Sequence, residues 1–354
     1  MRTISAADSV STAIQRTRDL LFRPFRWATY LKLGLVAILT EGLSSNMRSS
    51  SNHHPSSTPG HGPVFGSLHE IPHEWIAAIL AGVLAVALLI VLGFWIAYLI
   101  TRLRFAFFHC LVTNTTEIRP GWHLYRDRAA HFFWFNVVVG ICYLLLIGLI
   151  AIPFVSGFVK LVRETPPGGH PDWGLLLSLV LPLIPIILLL VVMGILIDVV
   201  LRDWMLPHYA LEDASAGEAW SEVWEHITAE KREFLVYVVL RLILPAIAMI
   251  AIFVVLIVPG LMLAGALAGV EYGIHSAFAD ATGAAAYVGV ALALFFGVVA
   301  AGFALLASIC LAGPVSTAVR EYALVFYGGR YRVLGELLYP TAQLPAMDGA
   351  PGNE

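Results

Sequence analysis

Residues 76–100, IAAILAGVLAVALLIVLGFWIAYLI, contain no charged side chain. A helix of that length, rising about 1.5 Å per residue, is long enough to cross roughly 30 Å of hydrocarbon. Hydrocarbon supplies no hydrogen bonds, so a crossing segment must satisfy its own backbone, which a helix does and an open strand cannot. Similar runs recur, and six crossings are predicted at Trp27–Leu43, Ile76–Ile100, Phe132–Val159, Gly174–Val200, Phe234–Val258 and Ala284–Ala312. The first is short and carries Lys32 and Glu41, so an interfacial position is its alternative. Leu261–Ala268, behind Pro259-Gly260, is apolar but too short to cross alone; it either extends the fifth helix past a kink or forms a re-entrant turn. The expected fold class is therefore all-α, a polytopic membrane helical bundle.

Composition agrees. Hydrophobic residues make up 59% and charged residues 13%, with a mean hydropathy of +0.81, against about 45–50% and about 25% in soluble domains. Too little sequence remains between the apolar runs for a soluble domain, so residues 1–340 read as one transmembrane domain, with a flexible extracytoplasmic loop over 44–70 and a disordered tail over 341–354. The net charge of −3 argues against a nucleic-acid partner. Cys110, Cys142 and Cys310 form no C-x-x-C pair and read as packing residues. Asp8, Arg16, Arg18, Asp19 and Arg23 interrupt the first 26 residues, which therefore do not read as a signal peptide.

Orientation is expected to follow Lys and Arg, which are enriched in cytoplasmic loops. With six crossings, sixteen of the 21 fall on one side, three on the other, and Lys32 and Arg241 lie within spans. Both termini are thus expected in the cytoplasm.

Three segments on that inner side share a pattern. "SAADSVSTAI" (5–14) and "SAGEAWSEVWEHI" (215–227) each place an acid three residues after a serine, the spacing of a helix-capping box. Behind the second cap Trp220, Val223, Trp224 and Ile227 repeat at helical spacing; behind the first, Val10, Ala13, Ile14 and Thr17 do so more weakly. A looser middle copy starts near Pro120 and continues through Trp122, Tyr125 and Ala129. The expectation is three repeats, each an amphipathic interfacial helix followed by two spans. Arg16, Arg18, Arg23, Arg26, Trp27, Trp122, Trp220 and Trp224 are its candidate membrane-interface anchors.

The stretch "LLFRPFRWATYLKLG" (20–34) resembles the N-terminal segment of a family of uncharacterised bacterial multi-pass proteins. The pattern of helix plus span is also similar to the membrane domain attached to some glycerophosphodiester phosphodiesterases. The resemblance implies a bacterial inner-membrane protein. It transfers no catalytic residue, because the soluble phosphodiesterase domain has no counterpart here.

"HEIPHE" (69–74) matches the zinc-protease signature H-E-x-x-H, which needs both histidines on one helical face. Pro72 stands between them and opposes a helix through Ile71, so the match reads as accidental: Pro72 near a helix start, Glu74 in the first turn, Trp75 at the interface. His53, His54, His61 and His170, and the pair Glu271 and His275, share the expected outer side as a weaker metal-binding alternative.

Intramembrane polar residues are few: Lys32, Asp198 and Arg241. Lys32 and Arg241 can snorkel to inner headgroups and Asp198 can pair with Arg202 one turn on; the alternative is a functional cluster of Arg241 with Asp198. Pro153, Pro182, Pro185 and Pro245 are expected to kink spans, Pro259-Gly260 to break the fifth, and Gly313-Pro314 to end the sixth. No phosphate-binding loop, dinucleotide fingerprint or nucleophile elbow occurs, and no cofactor is expected. The favoured function is a non-enzymatic scaffold or accessory protein whose partners are membrane lipids or other membrane proteins. A transporter of a hydrophobic solute and a metalloenzyme on the outer histidines are the alternatives.

Overall fold

The computed structural model describes residues 5–42, 73–164, 173–278 and 284–339. The expected flexible loop, the tail, His53, His54, His61, His170 and the stretch from His69 to Pro72 lie outside them. All described elements are helical: α1 (Ala6–Phe22), α2 (Trp27–Ala37), α3 (His73–Thr113), α4 (Ile118–Leu124), α5 (Arg126–Glu164), α6 (Trp173–Val199), α7 (Leu206–Leu211), α8 (Ala216–Ala229), α9 (Lys231–Ala277), α10 (Ala284–Gly328) and α11 (Arg332–Leu338). Two π-helical turns join the series, Ile38–Gly42 after α2 and Val200–Met205 between α6 and α7.

Five helical stretches are long and apolar enough to cross a membrane, at 79–113, 126–161, 176–211, 231–277 and 287–328. The exception is the first expected span. It is described as far as residue 42, as an α-helix of 11 residues and a π-turn of five, together about 24 Å at the α-helical rise.

Each long helix has two unlike parts. Leu84, Leu89, Val255, Met262, Leu294 and Val298 are exposed, and such a density of bare apolar side chains is stable only against hydrocarbon. At the other end, Phe105, Phe108 and Leu111 of α3, Trp204 to Leu206, and Leu324, Phe326 and Tyr327 of α10 form one core with α1 and α11. Aromatic packing is dense there: Tyr237 stacks on Phe326 at 4.4 Å and on Tyr322 at 5.0 Å, and Trp204 meets Phe234 edge-on at 4.8 Å. Splayed apolar helices thus stand on a packed helical base.

The prolines interrupt less than the sequence suggests. α9 runs unbroken through Pro245 and Pro259, and α10 through Pro314. Residues 261–268 therefore continue α9 and form neither a separate segment nor a re-entrant turn. The reason is local accounting of hydrogen bonds: a proline removes one, whereas ending the helix would leave up to four carbonyls without partners in hydrocarbon. At Pro314 the carbonyl left without its usual donor is that of Cys310, and the Tyr30 hydroxyl donates to it.

Caps follow the sequence. The Ser5 side chain accepts from the Asp8 backbone N–H, and Ser215 and Glu218 form the reciprocal capping box. Those two donors from Ser215 hold the Glu218 carboxyl below the usual range. The middle segment differs: α4 is capped by Glu117 without a side-chain bond, and Pro120 is its third residue, not its first. α1 also buries Ala6, Ser9, Ala13, Thr17, Leu20 and Leu21 in the protein base, against α10 and α9.

α2 crosses α10 where two glycines meet. A Cβ on Gly313 would lie 2.7 Å from Gly34 Cα, a backbone atom that cannot swing aside. Gly302, on the same helix, has nothing within 4 Å of its would-be Cβ. Gly313→Ala is expected to lower stability by about 1–3 kcal/mol as overpacking, while Gly302→Ala leaves it unchanged or raises it. Thermal unfolding midpoints of both variants in detergent check this.

Candidate functional site

At the junction of the packed base and the apolar helices lies a cluster of buried charges. Asp203, in the second π-turn, has no exposed surface. Its Oδ2 accepts from Arg241 Nε at 3.0 Å and the Tyr237 hydroxyl at 2.8 Å, and its Oδ1 from Arg320 Nη1 at 3.0 Å. Glu41, in the first π-turn, pairs with Arg241 at 2.9 Å and Arg202 at 3.5 Å. Arg202 also pairs with Asp198 at 3.0 Å. Four elements far apart in sequence thereby converge through ions.

The π-turns are part of the chemistry. A π-turn departs from the i→i−4 ladder and presents carbonyls to other donors. Thr40 O in the first turn accepts from Arg202 and, at 3.2 Å, from Arg104; Arg202 O in the second accepts from Arg320 at 2.7 Å. Guanidinium suits the task, with five donors in a rigid plane and a charge retained under burial.

Three of these arginines follow the second, fourth and sixth apolar runs of the sequence, in the contexts Leu103-Arg104-Phe105, Leu201-Arg202-Asp203 and Val319-Arg320-Glu321. Although each follows an apolar run, Arg202 and Arg320 are almost fully buried. Position alone conceals this, since a cation at the end of a span usually reaches water or headgroups. The sequence carries only the recurrence, an arginine behind an aliphatic residue after each of the three runs.

The expected sites fare unequally. Arg241 lies between Glu41 and Asp203, and Asp198 reaches the same network through Arg202. Lys32 is exposed and outside the cluster. Glu41, within the first expected span, sits beside Arg202, which follows the fourth.

Among the anchors, Arg16 is a structural tie, bonding Glu321 at 2.9 Å and the carbonyls of Leu111 and Leu338. Trp122 lies under the Arg102 guanidinium at 4.2 Å. Arg18, Arg23, Arg26 and Trp27 are exposed, and Trp220 and Trp224 are exposed with stacked rings 6.0 Å apart.

Two concavities flank α1. One, of about 380 Å³, is almost wholly apolar and lies between α1, α9 and α10, with Ile14, Leu244, Pro245, Ala248, Pro314 and Ala318 in its wall and Arg18 and Arg241 bordering it. The other, of about 560 Å³, is mixed, with Asp19, Arg23, Arg26, His109, Asn114 and Glu117. The first presents apolar side chains over nearly its whole surface. His275 and Glu271, the described pair from the outer-side alternative, lie on α9, and no third ligand joins them among the described residues.

The ion cluster should be cooperative. Asp203→Asn or Arg320→Gln leaves a buried charge short of its partner and is expected to destabilise by about 3–5 kcal/mol. Arg332→Gln, breaking the exposed Arg332–Glu336 pair, should change stability by less than about 1 kcal/mol. The double variant at 203 and 320 should lose less than the sum of the singles, read from unfolding midpoints in detergent.

No curated protein and no solved structure matches the chain, and nothing connects it to glycerophosphodiester phosphodiesterases. One family does match, over residues 4–337, nearly the whole length, with its activity undescribed. The chain belongs to that family of unknown function, DUF7544.

Proposed function

We propose that this is a non-enzymatic multi-pass protein of a bacterial cytoplasmic membrane that holds a membrane lipid against its packed base, serving as a scaffold or accessory subunit. The observation that carries the reading is the apolar groove between α1, α9 and α10. Apolar side chains line it, and Arg18 at its border is 57% exposed, with a loose 3.9 Å contact to Asp19. One acyl chain in the groove with its phosphate at Arg18 satisfies both. Arg23 and Arg26 line the second concavity beside α1 and add attraction for anionic headgroups, roughly 1 kcal/mol each near a surface.

The packed base faces the cytoplasm in this reading. Lys and Arg concentrate there, and α1 and the last described helix, α11, meet there through Arg16 and the Leu338 carbonyl. The exposed Trp220–Trp224 stack on α8 suits a headgroup layer, where a ring can be half in lipid and its N–H in water. The arginines after the second, fourth and sixth runs, and the capped helices before the first and fifth, favour a threefold internal repeat whose first unit opens with α2.

Lipid binding is tested by native mass spectrometry of the purified protein after exchange into mixed anionic and zwitterionic lipid. Ala248→Trp, which fills the groove, should reduce bound phospholipid several-fold, and Arg18→Gln, Arg23→Gln and Arg26→Gln together should remove the preference for anionic lipid. Unchanged occupancy and preference would refute the reading. Arg16 is excluded because its loss would disturb the base.

Sidedness has its own measurement. With native cysteines replaced, Ser276→Cys should react with an impermeant maleimide in intact spheroplasts, and Ser221→Cys only after permeabilisation. The opposite pattern would invert the topology.

A further inference from the structure

On the solvent side of the packed base, beyond the ion cluster and the groove, three metal-ligating side chains face one another. His208 lies on α7, Glu212 caps that helix at its C-terminal end, and Glu222 projects from α8. The His208 side chain is fully buried, and its Nδ1 lies 2.9 Å from Glu222 Oε2 and 3.7 Å from Glu212 Oε2. It makes a hydrogen bond with neither, so a buried ring nitrogen aimed at two carboxylates is left without a donor or acceptor partner. Buried polar atoms rarely remain so.

The other ring nitrogen explains the arrangement. Nε2 lies 2.7 Å from the hydroxyl of Tyr327, itself fully buried. When Nε2–H donates to the Tyr327 oxygen, Nδ1 carries a bare lone pair pointing at two acids. In that tautomer the three groups repel one another unless a cation, a proton on Nδ1 or a metal ion, stands between them. An imidazole oriented by a hydrogen bond from its second nitrogen is the usual form of a metal-ligating histidine.

We propose that His208 Nδ1 with the carboxylates of Glu212 and Glu222 binds one divalent cation of the zinc or manganese class. All three ligand atoms lie within 4.8 Å of one another. A cation with bonds of about 2.0–2.2 Å separates its ligand atoms by roughly 3.0–3.5 Å, so side-chain rotations suffice to close the site. One nitrogen and two carboxylates suit borderline cations better than calcium, which prefers oxygen alone. The acids are partly open to solvent, at 38% and 49%, so the cation enters from the aqueous side and water completes its shell. The Tyr331 ring, centred 4.2 Å from that of His208, covers the imidazole.

Position suggests the role. The cation would clamp α8 to α7, and α8 carries the Trp220–Trp224 stack, so loading would fix where those tryptophans stand relative to the membrane surface. The site is independent of the groove and stands or falls separately from lipid binding.

The test uses the full-length protein in detergent, stripped with a chelator and titrated calorimetrically with ZnCl2 and, in a separate arm, MnCl2, with tryptophan fluorescence followed in parallel. One equivalent of at least one cation should bind with a fluorescence change, and Glu212→Gln and Glu222→Gln should each weaken it tenfold or more. These partly exposed positions are preferred to buried His208, whose loss would disturb the core. Failure of both cations to bind stoichiometrically, or affinity unchanged in either variant, overturns the proposal.

Discussion

The Asp203 carboxylate, with no exposed surface and donors from Arg241, Tyr237 and Arg320, is the joint on which the rest of the molecule hangs. An ion taken out of water costs several kcal/mol, returned only when every lone pair finds a partner at good geometry. That condition brings α9, α10 and the turn before α7 into one register, and through Arg241 and Arg202 it draws in Glu41 behind α2. Apolar contacts alone would let long helices slide along one another in lipid, because hydrocarbon surrounds them equally well in many arrangements. The ions remove that freedom.

The two π-turns and the three recurring arginines act as one device. Each turn releases carbonyls that hydrocarbon cannot satisfy, and each released carbonyl identified here, Thr40 O and Arg202 O, receives a guanidinium. The wide turn Val200–Met205 carries both Arg202 and Asp203, and His208 follows it on α7. It aims Asp203 inward, while His208 faces Glu212 and Glu222.

Around this joint the molecule offers distinct surfaces to distinct neighbours. The apolar shafts of α3, α5, α6, α9 and α10 suit hydrocarbon, the groove beside α1 suits a single chain, and the acids of α7 and α8 face water. α1 belongs to all three, buried on one side by α10, lining the groove with Ile14, and exposing Arg18 and Arg23.

Hydropathy by itself determined the all-helical class, the approximate positions of five crossing segments and the polarity of their ends, because a run such as 76–100 has one stable solution in a membrane. The Ser5 and Ser215 caps were legible for a similar reason, their partners lying three residues away. Only the tertiary structure decided that Glu41 behind α2 pairs with Arg202 and Arg241, that α9 and α10 continue through their prolines, and that Arg16 and Arg241 are ties within the protein. Those outcomes depend on partners hundreds of residues distant: Glu41 lies 200 positions from Arg241, and Arg16 lies 305 from Glu321. No local pattern records such a partner, and a charge near the end of a span reads the same whether it meets a headgroup or a carboxylate.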